Sequence, residues 1–156
     1  MGTGRKIGWM GLGAAILVCA VAGRARAHCQ IPCGIYDDET RLASMREDIG
    51  TIEKSMQKIV ELSAASPVDY NQVVRWVMNK EHHADRLREI AVEYFLMQRV
   101  APVEEGAPGR AEYLQKVEIL HRLCVLAMRS KQSTDTAHIE AMRTQVEALH
   151  GVLQRR

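Results

Sequence analysis

Apolar residues recur along most of this chain at intervals of three and four, the period that lays one stripe along an α-helix. The clearest stretch runs from Asp37 to about Ser63. Its apolar positions follow a 3-4-3-4-3 spacing: Leu42, Met45, Ile49, Ile52, Met56 and Ile59. Ser66-Pro67 then ends the pattern, because proline lacks the backbone N–H that a helix interior needs. The spacing predicts a long first helix.

Three further helices are predicted downstream. Asp69 can cap the second helix, which runs to about Val100 with a less regular stripe. Its inner positions are Val73, Val77, Ala84, Leu87, Ala91, Tyr94, and Met97 or Gln98. A third helix follows the glycine and proline loop at 106–109, and a fourth follows Ser133-Thr134-Asp135. Four amphipathic helices with short connections predict an all-α, antiparallel four-helix bundle over residues 37–156.

Composition supports this fold class and narrows the function. Hydrophobic residues make up 47% of the 156 residues but aromatic residues only 4%, which favours packed helices over a β-sandwich. The formal charge of the whole chain is +2. Residues 1–27 hold four basic residues and no acid, so the rest has 17 basic and 19 acidic residues. That balance offers no basic surface for nucleic acid.

Residues 1–27 have the organisation of a secretory signal peptide. Two basic residues precede an apolar run over 7–23, and a small-x-small cleavage site follows at 25–27. The apolar run is shorter than the roughly 20 residues of a membrane span. We therefore expect cleavage and export to the periplasm or the exterior, with no membrane anchor left on a mature chain that begins at His28.

The segment 28–36 belongs to no predicted helix, and cleavage would give His28 a free amine. A metal bound by this amine and by the deprotonated backbone nitrogen of Cys29 closes a five-membered ring, and the Cys29 thiolate closes a second. The Cys33 thiolate can complete a square of two nitrogens and two sulfurs, with the His28 imidazole as an axial ligand. Pro32 favours the tight turn that this requires. Such a donor set indicates Ni(II) or Cu(II).

The same side chains have alternatives to metal binding. In an exported chain, Cys29 and Cys33 could form a disulfide. The histidine at the cleavage point and Tyr36 three residues beyond Cys33 favour the metal instead. Cys124 occupies a core-like position on the third helix and is interpreted as a buried, inert thiol.

The remaining histidines are interpreted as non-ligands. His82 and His83 are adjacent on the second helix, so both cannot face one ion, and they are interpreted as a solvated surface pair. His121, His138 and His150 have no partner at a ligand spacing and are interpreted as surface or satisfied core residues.

The nine residues 28–36 resemble the signature of the nickel superoxide dismutases, His-Cys-x-x-Pro-Cys-Gly-x-Tyr. The matching positions are His28, Cys29, Pro32, Cys33, Gly34 and Tyr36. The resemblance implies a four-helix bundle with a nickel hook at one end, one nickel ion per subunit and a homohexamer. It also implies a superoxide dismutase that converts superoxide to dioxygen and hydrogen peroxide as nickel alternates between Ni(II) and Ni(III).

The resemblance assigns a role to each hook residue. His28 would supply the amine and the axial imidazole, Cys29 an amide nitrogen and a thiolate, and Cys33 a thiolate. Tyr36 would order water and the incoming anion at the open axial face without binding metal. The alternative is an exported helical protein that binds Cu(II) or Ni(II) through the same hook without turnover.

The sequence departs from the family at the neighbours of the axial imidazole. Well-known members place a glutamate of the first helix and an arginine of the second beside this ring. Here Ala43 falls near the glutamate position, with Glu39 and Glu47 as substitutes out of register. The run 80–83, Lys-Glu-His-His, falls near the arginine position. The neighbours of the His28 ring are therefore expected to differ in this chain.

Overall fold

The computed structural model describes residues 34–154, and its first helix, α1, spans Asp38–Ser63. Asp37 caps it, since its carboxylate accepts a hydrogen bond from the Thr40 N–H at 2.9 Å. This contact lowers the pKa of Asp37 and satisfies one of the amides that a helix start leaves unpaired. Five residues of the predicted stripe are buried: Leu42, Met45, Ile49, Ile52 and Met56. The first predicted helix is confirmed.

The second helix changes its hydrogen-bonding register before it ends. Helix α2 spans Tyr70–Glu89 and continues as a π-helix over Ile90–Arg99. Asp69 caps its start as predicted, accepting from the Gln72 N–H at 3.1 Å. In the π-helical part, hydrogen bonds join residues five apart, as the 3.0 Å bond from the Val100 N–H to the Phe95 carbonyl shows.

The π-helical segment explains where the predicted inner face of this helix is wrong. Of the pair Met97 or Gln98, Met97 is 61% exposed, while Gln98 is only partly buried. Phe95, absent from the predicted stripe, is completely buried beside Tyr94. A stripe drawn at 3.6 residues per turn falls out of phase once the turn becomes wider.

Helices α3 and α4 complete the bundle. Helix α3 spans Arg110–Gln132, and α4 spans Ala137–Leu153. Gly109 precedes α3 with a φ of +86°, a left-handed conformation that glycine adopts without steric cost. Helix α4 buries five residues at intervals of three and four: Ile139, Met142, Val146, Leu149 and Val152.

Cross-helix pairs give the direction of packing. Helix α1 pairs with α2 through Ser55 with Asn79 near one end and Asp38 with Arg99 at the other, so the two helices are antiparallel. Helices α1 and α4 are also antiparallel, because residues later in α1 pair with residues earlier in α4: Glu39 with His150, Arg46 with Glu147, and Glu53 with Arg143. The antiparallel four-helix bundle is confirmed over residues 34–154, which contain no strand. None of their helices is long and apolar enough to span a membrane.

Candidate metal centre

The three predicted nickel ligands precede the described part of the chain. His28, Cys29 and Cys33 lie outside residues 34–154, and the description begins at Gly34 and includes Tyr36. Gly34 has a φ of +93°, in the left-handed region where a side chain would be strained. Glycine adopts this conformation without steric cost at the point where the described part of the chain begins.

Tyr36 rests against the end of the bundle on two other side chains. Its ring meets the Tyr94 ring edge to face, with centroids 6.0 Å apart and an interplanar angle of 82°. The guanidinium carbon of Arg99 lies 4.5 Å from the centre of the Tyr36 ring, within the range of a cation–π contact. Tyr36 stays 40% exposed, so its ring is held on one side and open to solvent on the other.

Asp38 is the shared acceptor beneath this ring. Arg99 Nε donates to Asp38 Oδ1 and Arg99 Nη2 to Asp38 Oδ2, both at 2.8 Å. Tyr94 Oη also donates to Asp38 Oδ1 at 2.8 Å. Burial and this hydrogen bond to a carboxylate raise the pKa of Tyr94 to about 12, because both favour the neutral phenol. Tyr36, Asp38, Tyr94 and Arg99 thus form one connected group, here called the tyrosine clamp.

Asp38 lies in the first turn of α1, where its negative charge also suits the positive end of the helix. The structure shows that its main partner is Arg99, 61 residues away. The side chains of both residues are about one-fifth exposed. No spacing rule links the two positions, so no sequence signal identified the pair.

Two of the candidate neighbours of the axial imidazole, Glu39 and Lys80, have other partners in the bundle. Glu39 accepts from His150 Nε2 at 2.8 Å, and His150 Nδ1 faces Arg46 Nη2 at 3.2 Å. Lys80 is buried and its ammonium donates to the Lys131 and Ser133 carbonyls, both at 2.9 Å. The Lys80 ammonium therefore caps carbonyl groups at the carboxyl end of α3.

The interpretation of His82 and His83 as a solvated pair is wrong for His83. Its Nδ1 lies 2.6 Å from Oδ1 of Asp48, a completely buried carboxylate, and its side chain is only 16% exposed. The Asp48 Oδ2 atom has no hydrogen-bond partner within residues 34–154. The partner of His83, Asp48, lies on another helix, so no pattern in the sequence around His83 indicates the pair.

Cys124 is less buried than its stripe position predicted. It is partly buried, and burial raises the pKa of its thiol, which keeps the reactive thiolate scarce. Within residues 34–154 no group of three or more His, Cys, Asp or Glu side chains could hold a metal ion.

The described residues form a helical bundle, and His28, Cys29 and Cys33, residue types that bind transition metals, precede it in the sequence. A family model described as nickel-containing superoxide dismutase matches residues 23–155. The chain belongs to this family, and it is a nickel-dependent superoxide dismutase with one nickel ion per subunit and superoxide as substrate. No curated protein and no solved structure matches the chain significantly.

Proposed function

We propose that residues 28–36 form the nickel centre, with His28, Cys29 and Cys33 as ligands and Tyr36 as the residue that meets the substrate. The donor set fits nickel in a redox role, since amide and thiolate ligands favour a square geometry and lower the potential of the oxidised metal. When bound, nickel takes an electron from one superoxide and returns an electron to another. The match of all six signature positions in this segment carries the proposal.

Nickel-edge X-ray absorption on protein that begins at His28 tests the ligand set. Two sulfur and two or more nitrogen neighbours are expected, and Cys124→Ser should leave that signal unchanged because this thiol belongs to the bundle. A shell of oxygen and nitrogen alone, in protein that binds one nickel per subunit, would contradict the assignment of Cys29 and Cys33.

Tyr36 is proposed to bind the anion through its hydroxyl. The backbone spans at most about 3.6 Å per residue, so its Cα lies within about 11 Å of the Cα of Cys33. A tyrosine hydroxyl both donates and accepts hydrogen bonds. Superoxide needs protons to become peroxide, so a donor held at a fixed position favours the reductive half of the reaction. Its ring contacts with Tyr94 and Arg99 support this role.

Export is part of the proposal, since the nickel amine ligand would exist only after cleavage before His28. Residues 1–27 supply the charged, apolar and cleavage regions that a secretory pathway uses. Metal loading would then follow cleavage. Mass spectrometry of protein recovered from the periplasm or medium should give a chain that starts at His28, and a chain retained in the cytoplasm with residues 1–27 would contradict export.

A homohexamer is proposed as the working assembly. Helix α2 carries an apolar stripe that the bundle leaves uncovered: Tyr70 is 74% exposed, Val74 55% and Met78 67%. Residues four apart lie on one helix face, so these side chains form a continuous apolar strip. A second copy of the chain covering this strip would remove it from water.

Light scattering on nickel-loaded protein tests this assembly. A mass near six subunits is expected, and the double substitution Val74→Glu and Met78→Glu should lower it. Leu114→Glu is the matched control, because Leu114 is also exposed, at 48%, but lies on α3. An active monomer that persists at high protein concentration would refute the hexamer.

A further inference from the structure

We propose that Arg99 and Asp38 are positioning residues of the dismutase, which hold the Tyr36 ring so that its hydroxyl keeps one direction at the metal centre. This inference rests on the proposed role of Tyr36. It gives a function to the Arg99–Asp38 ion pair, which belongs neither to the signature of residues 28–36 nor to the apolar stripes of the helices. Arg99 acts through Tyr36 and is not itself a ligand or a proton donor to substrate.

The geometry of Arg99 is the first argument. A guanidinium is planar, so one face can cover an aromatic ring while its edge donates two parallel hydrogen bonds. Arg99 makes both contacts at once, with its carbon 4.5 Å from the Tyr36 ring centre and two 2.8 Å bonds to Asp38. Its side chain is only 18% exposed. An arginine fixed in this way restricts the ring that it covers.

The π-helix supplies the second argument, because it brings Tyr94 and Arg99 to one carboxylate. The two residues are five apart. In an α-helix, neighbours on one face are three or four apart, so residues five apart diverge. Hydrogen bonds between residues five apart put such positions above one another. Here both side chains reach Asp38 Oδ1 at 2.8 Å. Turns of this kind often occur at functional sites.

The hydroxyl of Tyr94 gives the third argument. A phenol has a single proton to donate, and Tyr94 donates it to Asp38. Tyr94 therefore cannot donate the same proton to an anion while this bond persists. Of the two ring neighbours, Tyr36 is left to serve the anion. The clamp thus separates the two tyrosines into one that braces the ring and one that faces the substrate.

The test uses the nickel-loaded protein with 3-fluorotyrosine at its four tyrosines and follows the fluorine NMR spectrum. The Tyr36 signal is the one that Tyr36→Phe removes. Arg99→Gln and Arg99→Lys should both move this signal toward that of free fluorotyrosine. Lysine keeps the charge but cannot cover a ring and make two parallel bonds. The matched control is Arg143→Gln, which breaks the 2.7 Å pair with Glu53 elsewhere in the bundle and should leave the signal in place.

The rate constant for superoxide loss is measured on the same samples. Both Arg99 variants should keep their nickel content and lose about threefold to tenfold in rate, a moderate part of the penalty for a misplaced reacting group. An unmoved Tyr36 signal in a folded Arg99→Gln protein would overturn the inference. Full recovery of signal and rate by Arg99→Lys would also overturn it, because charge alone would then suffice.

Asp38→Asn and Tyr36→Phe guard the test against an Arg99 variant that fails to fold and against failure of the proposed function. If Arg99→Gln does not fold, Asp38→Asn removes the charge that holds Arg99 with almost no change in volume, and it should move the Tyr36 signal in the same direction. An unmoved signal there would count against the inference equally. Tyr36→Phe separates this inference from the proposed function: an unchanged rate in that variant refutes the role of Tyr36, whereas the Tyr36 signal of the Arg99 and Asp38 variants reports on the clamp in either case.

Discussion

Removal of the Tyr94 hydroxyl should change how the stability of the protein depends on pH. Tyr94 is 4% exposed and donates to the Asp38 carboxylate at 2.8 Å. A hydrogen bond to a charged group contributes about 1.5–3 kcal/mol. We expect Tyr94→Phe to lower the free energy of unfolding by about that amount near pH 8, where the phenol is neutral in both the folded and the unfolded chain.

The difference should shrink in alkali. The pKa of Tyr94 rises from 10.0 to about 12 in the folded protein, because burial and the Asp38 contact both disfavour phenolate. A raised pKa contributes stability that is complete below the unfolded value and is lost as pH rises through the folded value. At pH 11 the native protein should have lost about 1.4 kcal/mol through this group, at 1.36 kcal/mol for each pKa unit. The Tyr94→Phe protein has no phenol at this position, so it cannot lose stability in this way.

Urea unfolding of both proteins at pH 8, 10 and 11, followed by circular dichroism, measures this effect. Contributions of groups that are common to both proteins cancel in the difference. The two free energies should approach each other by about 1.4 kcal/mol between pH 8 and pH 11. A constant gap across this range would refute the hydrogen bond to Asp38 and the burial of the phenol.

Four further predictions concern the hook and the cysteine of the bundle. One extra residue before His28 should abolish most activity without loss of helix content, because the α-amine ligand becomes an amide; full activity in the extended protein would exclude that ligand. Cys29→Ser or Cys33→Ser should each abolish activity, since hydroxyls are poor soft donors. Cys124→Ser should retain nickel and activity, and loss of nickel from the folded variant would show that the metal centre is incomplete as proposed. Tyr36→Phe should keep its nickel and fold while its rate falls by a modest factor, and release of nickel would identify Tyr36 as a ligand instead.

The helices could be predicted from the sequence because each depends on local signals. The 3-4 spacing of α1 and α4 matches their buried faces, and Asp69 begins α2 as predicted. The π-helical segment could not be predicted in this way. Its wider turns are stabilised by tertiary contacts of Tyr94 and Arg99 with Asp38, and the sequence around them reads as an α-helix with an irregular stripe.

The candidate site also has one part that could be predicted from the sequence and one part that could not. The proposed ligands His28, Cys29 and Cys33 lie within six positions of the sequence, so their chemistry can be predicted from a local pattern. The clamp cannot, since Asp38 and Arg99 are 61 residues apart and each resembles an ordinary charge on a helix surface. Asp48 and His83 show the same limit, because their side chains meet from two helices although the residues are 35 positions apart in the sequence. Long-range pairs of this kind appear only when the helices are packed.

The central claim is that this chain dismutates superoxide with nickel bound at its new amino terminus. The most direct test compares protein that begins at His28 in metal-free, copper-loaded and nickel-loaded forms and follows the decay of superoxide. Only the nickel-loaded form should accelerate the decay, with one nickel per subunit and equal yields of dioxygen and hydrogen peroxide. Stoichiometric nickel binding with no faster decay than in the metal-free protein would contradict the claim and leave a metal-binding protein without turnover.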